Sequence, residues 1–194
     1  QDPSDGGVYH KMTTPNFEGF VMPSECHQQR YVVQKTTAAS LDFAAVMAIA
    51  SRIYKAYPEY RSWADDALAK AERAFEWAEK NPAVYYLQND MNAIHQPAIN
   101  TGAYDDNDVS DERRWAAVEI AAAQGNQDAI SRMGLTLSKL TPERAASLPV
   151  WGNVAMLPVY GLAGYLNMAG YLDLLRQQLN DTQRQYITAL LDNH

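Results

Sequence analysis

Residues 36–57 read TTAASLDFAAVMAIASRIYKAY. Apolar side chains stand at Phe43, Ala44, Val46, Met47, Ala50, Ile53 and Tyr54, which reach almost every face of a 3.6-residue helix. A helix apolar all round is a buried one. Thr36 or Thr37 stands where an N-cap belongs, and Pro58 stops the helix. Residues 60–80 predict a second helix of another kind. Ala64, Leu68, Ala71, Phe75 and Ala78 form one stripe, while Lys70, Arg73, Glu76, Glu79 and Lys80 cover the rest. Asn81–Pro82 ends it. A buried helix joined by a short turn to a one-sided helix is an αα-hairpin. An inner helix paired with an outer one is the unit of an α/α toroid and equally of a helical solenoid. No short motif recurs along the chain, which favours a toroid of unlike hairpins. The fold class expected is therefore all-α.

Outward from this hairpin, residues 1–35 read as irregular. Pro3, Gly6, Gly7, Pro15, Gly19 and Pro23 punctuate them, with a brief strand at Tyr31–Val33. Residues 83–104 read as a loop rich in Tyr, Asn and Pro, in which Tyr85, Tyr86, His95 and Tyr104 are placed either to line a sugar cleft or to pack the loop onto the helices. A helix is expected over 111–124, closed by Gly125. Beyond it come one or two helical turns in 126–135, a link through Pro142, and helices near 151–168 and 170–192, with a kink at Pro158.

The chain has 194 residues, 47% of them hydrophobic, which suits one globular domain or a piece of a larger one. A net charge of −7 argues against a nucleic-acid partner. No apolar run approaches the ~20 residues of a membrane span. The opening QDPSDGG is not a signal peptide, so any export signal is expected upstream. Both ends read as cut, the last residues LLDNH following directly on a helical pattern. Cys26 is the only cysteine and rules out an internal disulfide. Cys26–His27 lacks the third and fourth ligands that zinc needs.

The densest chemistry lies in TGAYDDNDVSDERRWAAVEI, residues 101–120, where Asp105, Asp106, Asp108, Asp111 and Glu112 crowd the start of a helix. One reading is a solvated helix start with Asp108 as N-cap and Asp111 in the first turn. The other is a site for a hard cation such as Ca²⁺, which takes several oxygen ligands from one loop. An EF-hand fits poorly, because Asp111 holds the glycine position and Ala117 the place of the closing glutamate.

Three segments in order resemble glycoside hydrolase family 9, the cellulases and related β-glucanases. They are GGVYHKMTTPNF from Gly6, the helix TTAASLDFAAVMAIASRIY, and Thr101–Glu119 against T-G-x-Y-x-D-x-x-x-x-D-E-x-x-W-A-A-x-E. The resemblance implies an (α/α) toroid and an inverting hydrolase of β-1,4-glucans. It implies a secreted, periplasmic or cell-surface location and a β-glucan as partner. It places His10 in the cleft near bound sugar; Tyr104 and Trp151 are further candidate sugar contacts, with packing of the loop and burial in the core as their respective alternatives. It also implies a structural Ca²⁺ held by Asp106, Asp108, Asp111 and Glu112. The family's Trp-x-Asp segment appears here as Trp151–Gly152–Asn153, so Asn153 would be a neutral ligand.

An inverting glycosidase needs a carboxylate base and a carboxylic acid roughly 6.5–9.5 Å apart. In the family these lie in a D-x-G-D motif and after an asparagine, and neither motif occurs in this sequence. The chain therefore reads as the middle of one catalytic domain, with its catalytic pair on other segments and the rest of that domain as its partner. The competing reading is a non-catalytic all-α module that binds a glycan or a protein.

Overall fold

The computed structural model describes residues 1–126, together with Asp181 and Gln185. The chain is organised around two antiparallel helices, α1 (Thr37–Tyr54) and α2 (Arg61–Lys80), joined by a 3₁₀ turn at Pro58–Tyr60. Strands β1 (Met12–Thr13) and β2 (Tyr31–Val32) precede them. A short helix α3 (Gln88–Ile94) and a longer one, α4 (Ser110–Gln124), follow.

Helix α1 starts where the sequence places it. The Thr36 hydroxyl accepts the Ala39 N–H at 3.2 Å, satisfying one of the orphan donors of the first turn. The next threonine ties the two ends of the hairpin together. The Thr37 hydroxyl donates to the Asn81 carbonyl and accepts the Val84 N–H. Leu41, Ala44, Ala45, Ala48 and Ser51 on α1 face Ala64, Ala67, Ala71, Ala74 and Ala78 on α2, all buried. A seam made almost wholly of alanine lets the backbones approach closely, and burying it removes apolar area from water without freezing many rotamers. Helix α4 packs on another side of α1 with Ala116 and Ile120 in the same core.

The expectation that α1 is buried on every face needs correction. Val46 and Ile53, seven residues apart and so two turns apart, are 52% and 55% exposed. Packing against α2 and α4 covers the alanine side only. Helix α3 is likewise unforeseen. It is seven residues long, has no apolar stripe and buries none of its residues, so it carries no periodic signal. Helix α4 begins at Ser110 rather than 111. Val109, not Asp108, occupies the cap position, and the Asp108 carboxylate accepts the Ser110 N–H at 3.1 Å instead. Gly125 closes α4 at φ +65°, a left-handed conformation that suits glycine.

The first 35 residues are mostly irregular, as expected, but they are tightly held. β1 and β2 pair antiparallel, with Met12 opposite Val32 and Thr13 opposite Tyr31. Upstream, residues 1–7 run across α2. Gln1 donates to the Lys70 carbonyl, and the Lys35 ammonium joins Asp2 at 2.7 Å and Asp5 at 2.8 Å. Gly7 lies so close to the Trp77 ring that a Cβ there would sit 2.6 Å from it. The expected helical turns in 127–135, the helices at 151–168 and 170–192, and Trp151 and Asn153 lie outside the described residues.

Candidate substrate-binding wall and acidic loop

Pairing of β1 with β2 carries His10 and Lys11 to the end of the hairpin where α1 begins. His10 N–H donates to the Gln34 carbonyl at 2.9 Å. The imidazole Nε2 faces the Ala103 carbonyl at 3.4 Å, and a carbonyl can only accept. Nε2 therefore carries the proton, and Nδ1 accepts from the Thr36 hydroxyl at 3.2 Å. The ring lies against Tyr86, with centroids 4.7 Å apart and planes tilted by 31°. Burial pushes the His10 pKa below its ordinary value, only partly countered by the Ala103 carbonyl, and the Lys11 charge pushes it the same way as burial. The half-buried ring is thus a fixed neutral imidazole with both nitrogens engaged inside the fold. That suits a positioning surface and not a general acid.

Lys11 closes the arrangement. Its ammonium donates to Gln88 Oε1 at 2.8 Å and to the Gly102 carbonyl. It sits 5.3 Å from the Tyr86 ring centroid and 5.8 Å from that of Tyr104. Gln88 is the hub of the loop. Its Oε1 also accepts the Tyr86 hydroxyl, its Nε2 donates to the Thr101 carbonyl, and its own N–H is held by Asp105. Tyr104, 74% exposed, has φ +56°, a region uncommon for a residue with a side chain. Anchors on both sides of it hold this backbone in place. The result is a surface formed by His10 and Tyr104 and backed by the buried Tyr86 ring, with the Lys11 ammonium near both tyrosine rings. His10 reaches the backbone next to Tyr104 through the Ala103 carbonyl. Lys11 and Gln88 were missed as site residues, although Lys11 stands inside the GGVYHK motif.

Beside this wall, residues 31–34 and the 91–99 segment line a cavity of about 350 Å³, with Tyr86 in its lining. His95 lines it, as does Tyr31.

The acidic loop is built from two successive turns. Asp106 accepts the Asp108 N–H at 2.9 Å, and Asp108 in turn accepts that of Ser110. Glu112 is buried, 1% exposed, on the inner side of α4. Among the described residues no three His, Cys, Asp or Glu side chains converge as a metal group. The Asp111 side chain and Asn153, the other members of the expected calcium set, lie outside the described part. Oxygen donors of this kind are chemically suited to a hard cation.

The profile of glycosyl hydrolase family 9 matches residues 2–193 of the chain. This chain belongs to glycosyl hydrolase family 9. Its fold is accordingly part of an (α/α) toroid. A xyloglucan-specific endo-β-1,4-glucanase of Bacteroides ovatus is 46% identical over 191 residues, covering 98% of this chain and 30% of that protein. Endoglucanase D of Acetivibrio thermocellus is 31% identical over 156 residues, covering 80% of this chain and 23% of that protein. The solved structure of a Bacteroides ovatus GH9 protein superposes with a TM-score of 0.68 at 42% identity, over 100% of this chain and 33% of that one. The chain thus spans between about a quarter and a third of the length of these relatives.

Proposed function

We propose that the chain is part of an inverting glycoside hydrolase that acts on β-1,4-glucans in the manner of an endoglucanase. The observation that carries this reading is the wall of His10 and Tyr104, built from two of the segments that resemble the family and backed from inside by the buried Tyr86 ring. Aromatic faces of this kind stack on the apolar faces of sugar rings, and the neutral, doubly anchored imidazole gives the wall a fixed shape. The base and the acid belong to segments that this sequence does not contain. Family membership and the two relatives named as endoglucanases support the substrate class. The relative named for xyloglucan makes a substituted β-1,4-glucan the first substrate to try. We further propose a structural Ca²⁺ on the acidic loop, and an extracellular, periplasmic or cell-surface location.

The test compares two polypeptides on carboxymethylcellulose and xyloglucan. One is the 194-residue chain, expected to give no hydrolysis because both carboxyl groups are absent. The other is the chain completed by its own flanking coding sequence, expected to hydrolyse with inversion at the anomeric carbon as followed by NMR. Retention of configuration, or no turnover by the completed polypeptide, would refute the proposal.

A further inference from the structure

The cavity between β2 and α3 differs in character from the wall beside it. Its volume of about 350 Å³ lies at the small end of the ~300–1,000 Å³ typical of small-molecule sites, room for a sugar ring or two and not for a run of polymer. Its apolar lining is Val32, Val33, Tyr86, Met91, Pro97 and Ile99, of which Tyr86 and Ile99 are buried. Its polar lining divides into two groups. Asn92 is spent on structure, donating to the Ile99 carbonyl and accepting the Ile99 N–H, both at 2.8 Å. That clamp fixes the backbone of the 92–99 turn. Within the turn, His95 and Gln96 make no side-chain hydrogen bond among the described residues, and nor does the Tyr31 hydroxyl across from them. A rigid turn thus presents an imidazole, an amide and a phenol to a cavity with an aromatic and aliphatic lining. This is the composition of a site for a small polyhydroxylated ring.

Tyr86 lies between the cavity and the wall: its buried ring packs on His10 on one side and backs the cavity on the other. We infer that this cavity is a branch subsite: it takes a single pentose or hexose hanging from a β-1,4-glucan whose backbone lies along the His10–Tyr104 wall. The inference rests on the proposed β-glucan reading and adds to it. Tyr31, His95 and Gln96 become specificity-determining residues for substituted glucans. They have no part in bond cleavage.

The experiment is calorimetric titration of the completed polypeptide, inactivated by a Glu→Gln substitution at its catalytic acid, with cellotetraose and with a xylose-substituted cellotetraose. One or two added hydrogen bonds and a filled cavity predict roughly tenfold tighter binding of the substituted ligand. His95→Ala is expected to remove most of that preference while leaving cellotetraose affinity unchanged. Gln96→Trp, which fills the cavity by bulk, is expected to do the same by exclusion. Both positions are exposed, and circular dichroism verifies that the variants fold. Equal affinity of this polypeptide for the two ligands overturns the branch subsite while leaving the β-glucan reading in place. A preference that survives both substitutions also overturns it. If neither ligand binds, the wall itself is misassigned and both readings fall together.

Discussion

The Arg52 guanidinium on α1 forms an ion pair with the Glu119 carboxylate on α4, and Glu119 is 2% exposed while Arg52 is 31% exposed. The two helices are therefore joined by a charge pair that only one partner shares with water. Burial raises the Glu119 pKa from 4.5 to about 7, although Arg52 pulls the other way. The pair locks α4, and with it the acidic loop, onto the hairpin. Above pH 7, where Glu119 is ionised, removing Arg52 strands a buried carboxylate, which typically costs about 3–5 kcal/mol. Arg52→Ala is expected to lower the urea midpoint of the 194-residue chain sharply, and Arg52→Lys to do so less. Unchanged midpoints for both would mean that the pair contributes nothing.

The same carboxylate sets a pH dependence. Because its folded pKa lies above the unfolded one, the folded chain keeps a proton that the unfolded chain has released. Stability from this group is greatest below pH 4.5, declines as pH rises to about 7, and is level above that. The full decline corresponds to about 3 kcal/mol. Glu119→Gln is expected to flatten the stability profile between these two values. A slope identical in the variant would assign the effect elsewhere.

Gly102 governs the exposed edge of the wall. A Cβ there would lie 2.8 Å from the Tyr104 ring. Since that ring is largely exposed, it can swing away at little cost, and the backbone need not move. Gly102→Ala is thus expected to change stability by under about 1 kcal/mol yet displace Tyr104 and weaken glucan binding. Thermal melting and titration with cellotetraose separate the two effects. A large melting shift with intact binding would contradict this account.

How much of this was legible beforehand depends on the kind of signal. The α1–α2 hairpin announced itself because alanine and larger apolar residues recur at helical spacing and Thr36, Pro58 and Asn81 mark its ends. The two exposed apolar residues of α1, Val46 and Ile53, were not separable from the buried ones, because periodicity reports hydrophobicity and not which neighbour covers it. Helix α3 was invisible for want of an apolar stripe. The hub role of Gln88 was invisible for another reason. It arises from four partners scattered from residue 11 to residue 105, and no local pattern encodes such convergence. His10 and Tyr104 stand out as candidates through family motifs. The structure adds their physical relation, a neutral imidazole and a phenol held on either side of Lys11.

That neutral state of His10 is testable directly. Burial lowers its pKa, and its two nitrogens are already matched to one acceptor and one donor. Protonation would place an N–H against the Thr36 hydroxyl oxygen, which already accepts from Ala39. In an NMR titration the His10 resonance is expected to have a midpoint below 6.5, the ordinary histidine value. Stability contributed by the neutral ring is complete above 6.5 and is lost as pH falls from there through the folded midpoint. A midpoint above 6.5 would imply a charged imidazole and a different wall.

The acidic loop gives the last expectation. Asp106 and Asp108 each already hold one backbone N–H, so the loop keeps its turns by its own hydrogen bonds. Bound Ca²⁺ would add to this by offsetting repulsion among Asp105, Asp106, Asp108 and Asp111, which the helix N-terminus alone relieves only within its first turn. An ion that binds only the folded chain stabilises it by about 2.7 kcal/mol at a hundredfold excess over Kd. In the completed polypeptide, excess Ca²⁺ is therefore expected to raise the melting temperature and a chelator to reverse the rise. Asp111→Asn is expected to weaken the effect and Asp111→Ala to abolish it. Mg²⁺, which demands a tighter octahedron and sheds water reluctantly, is expected to substitute poorly. Identical melting in calcium and in chelator would show that the carboxylates serve only to fold the loop and start α4.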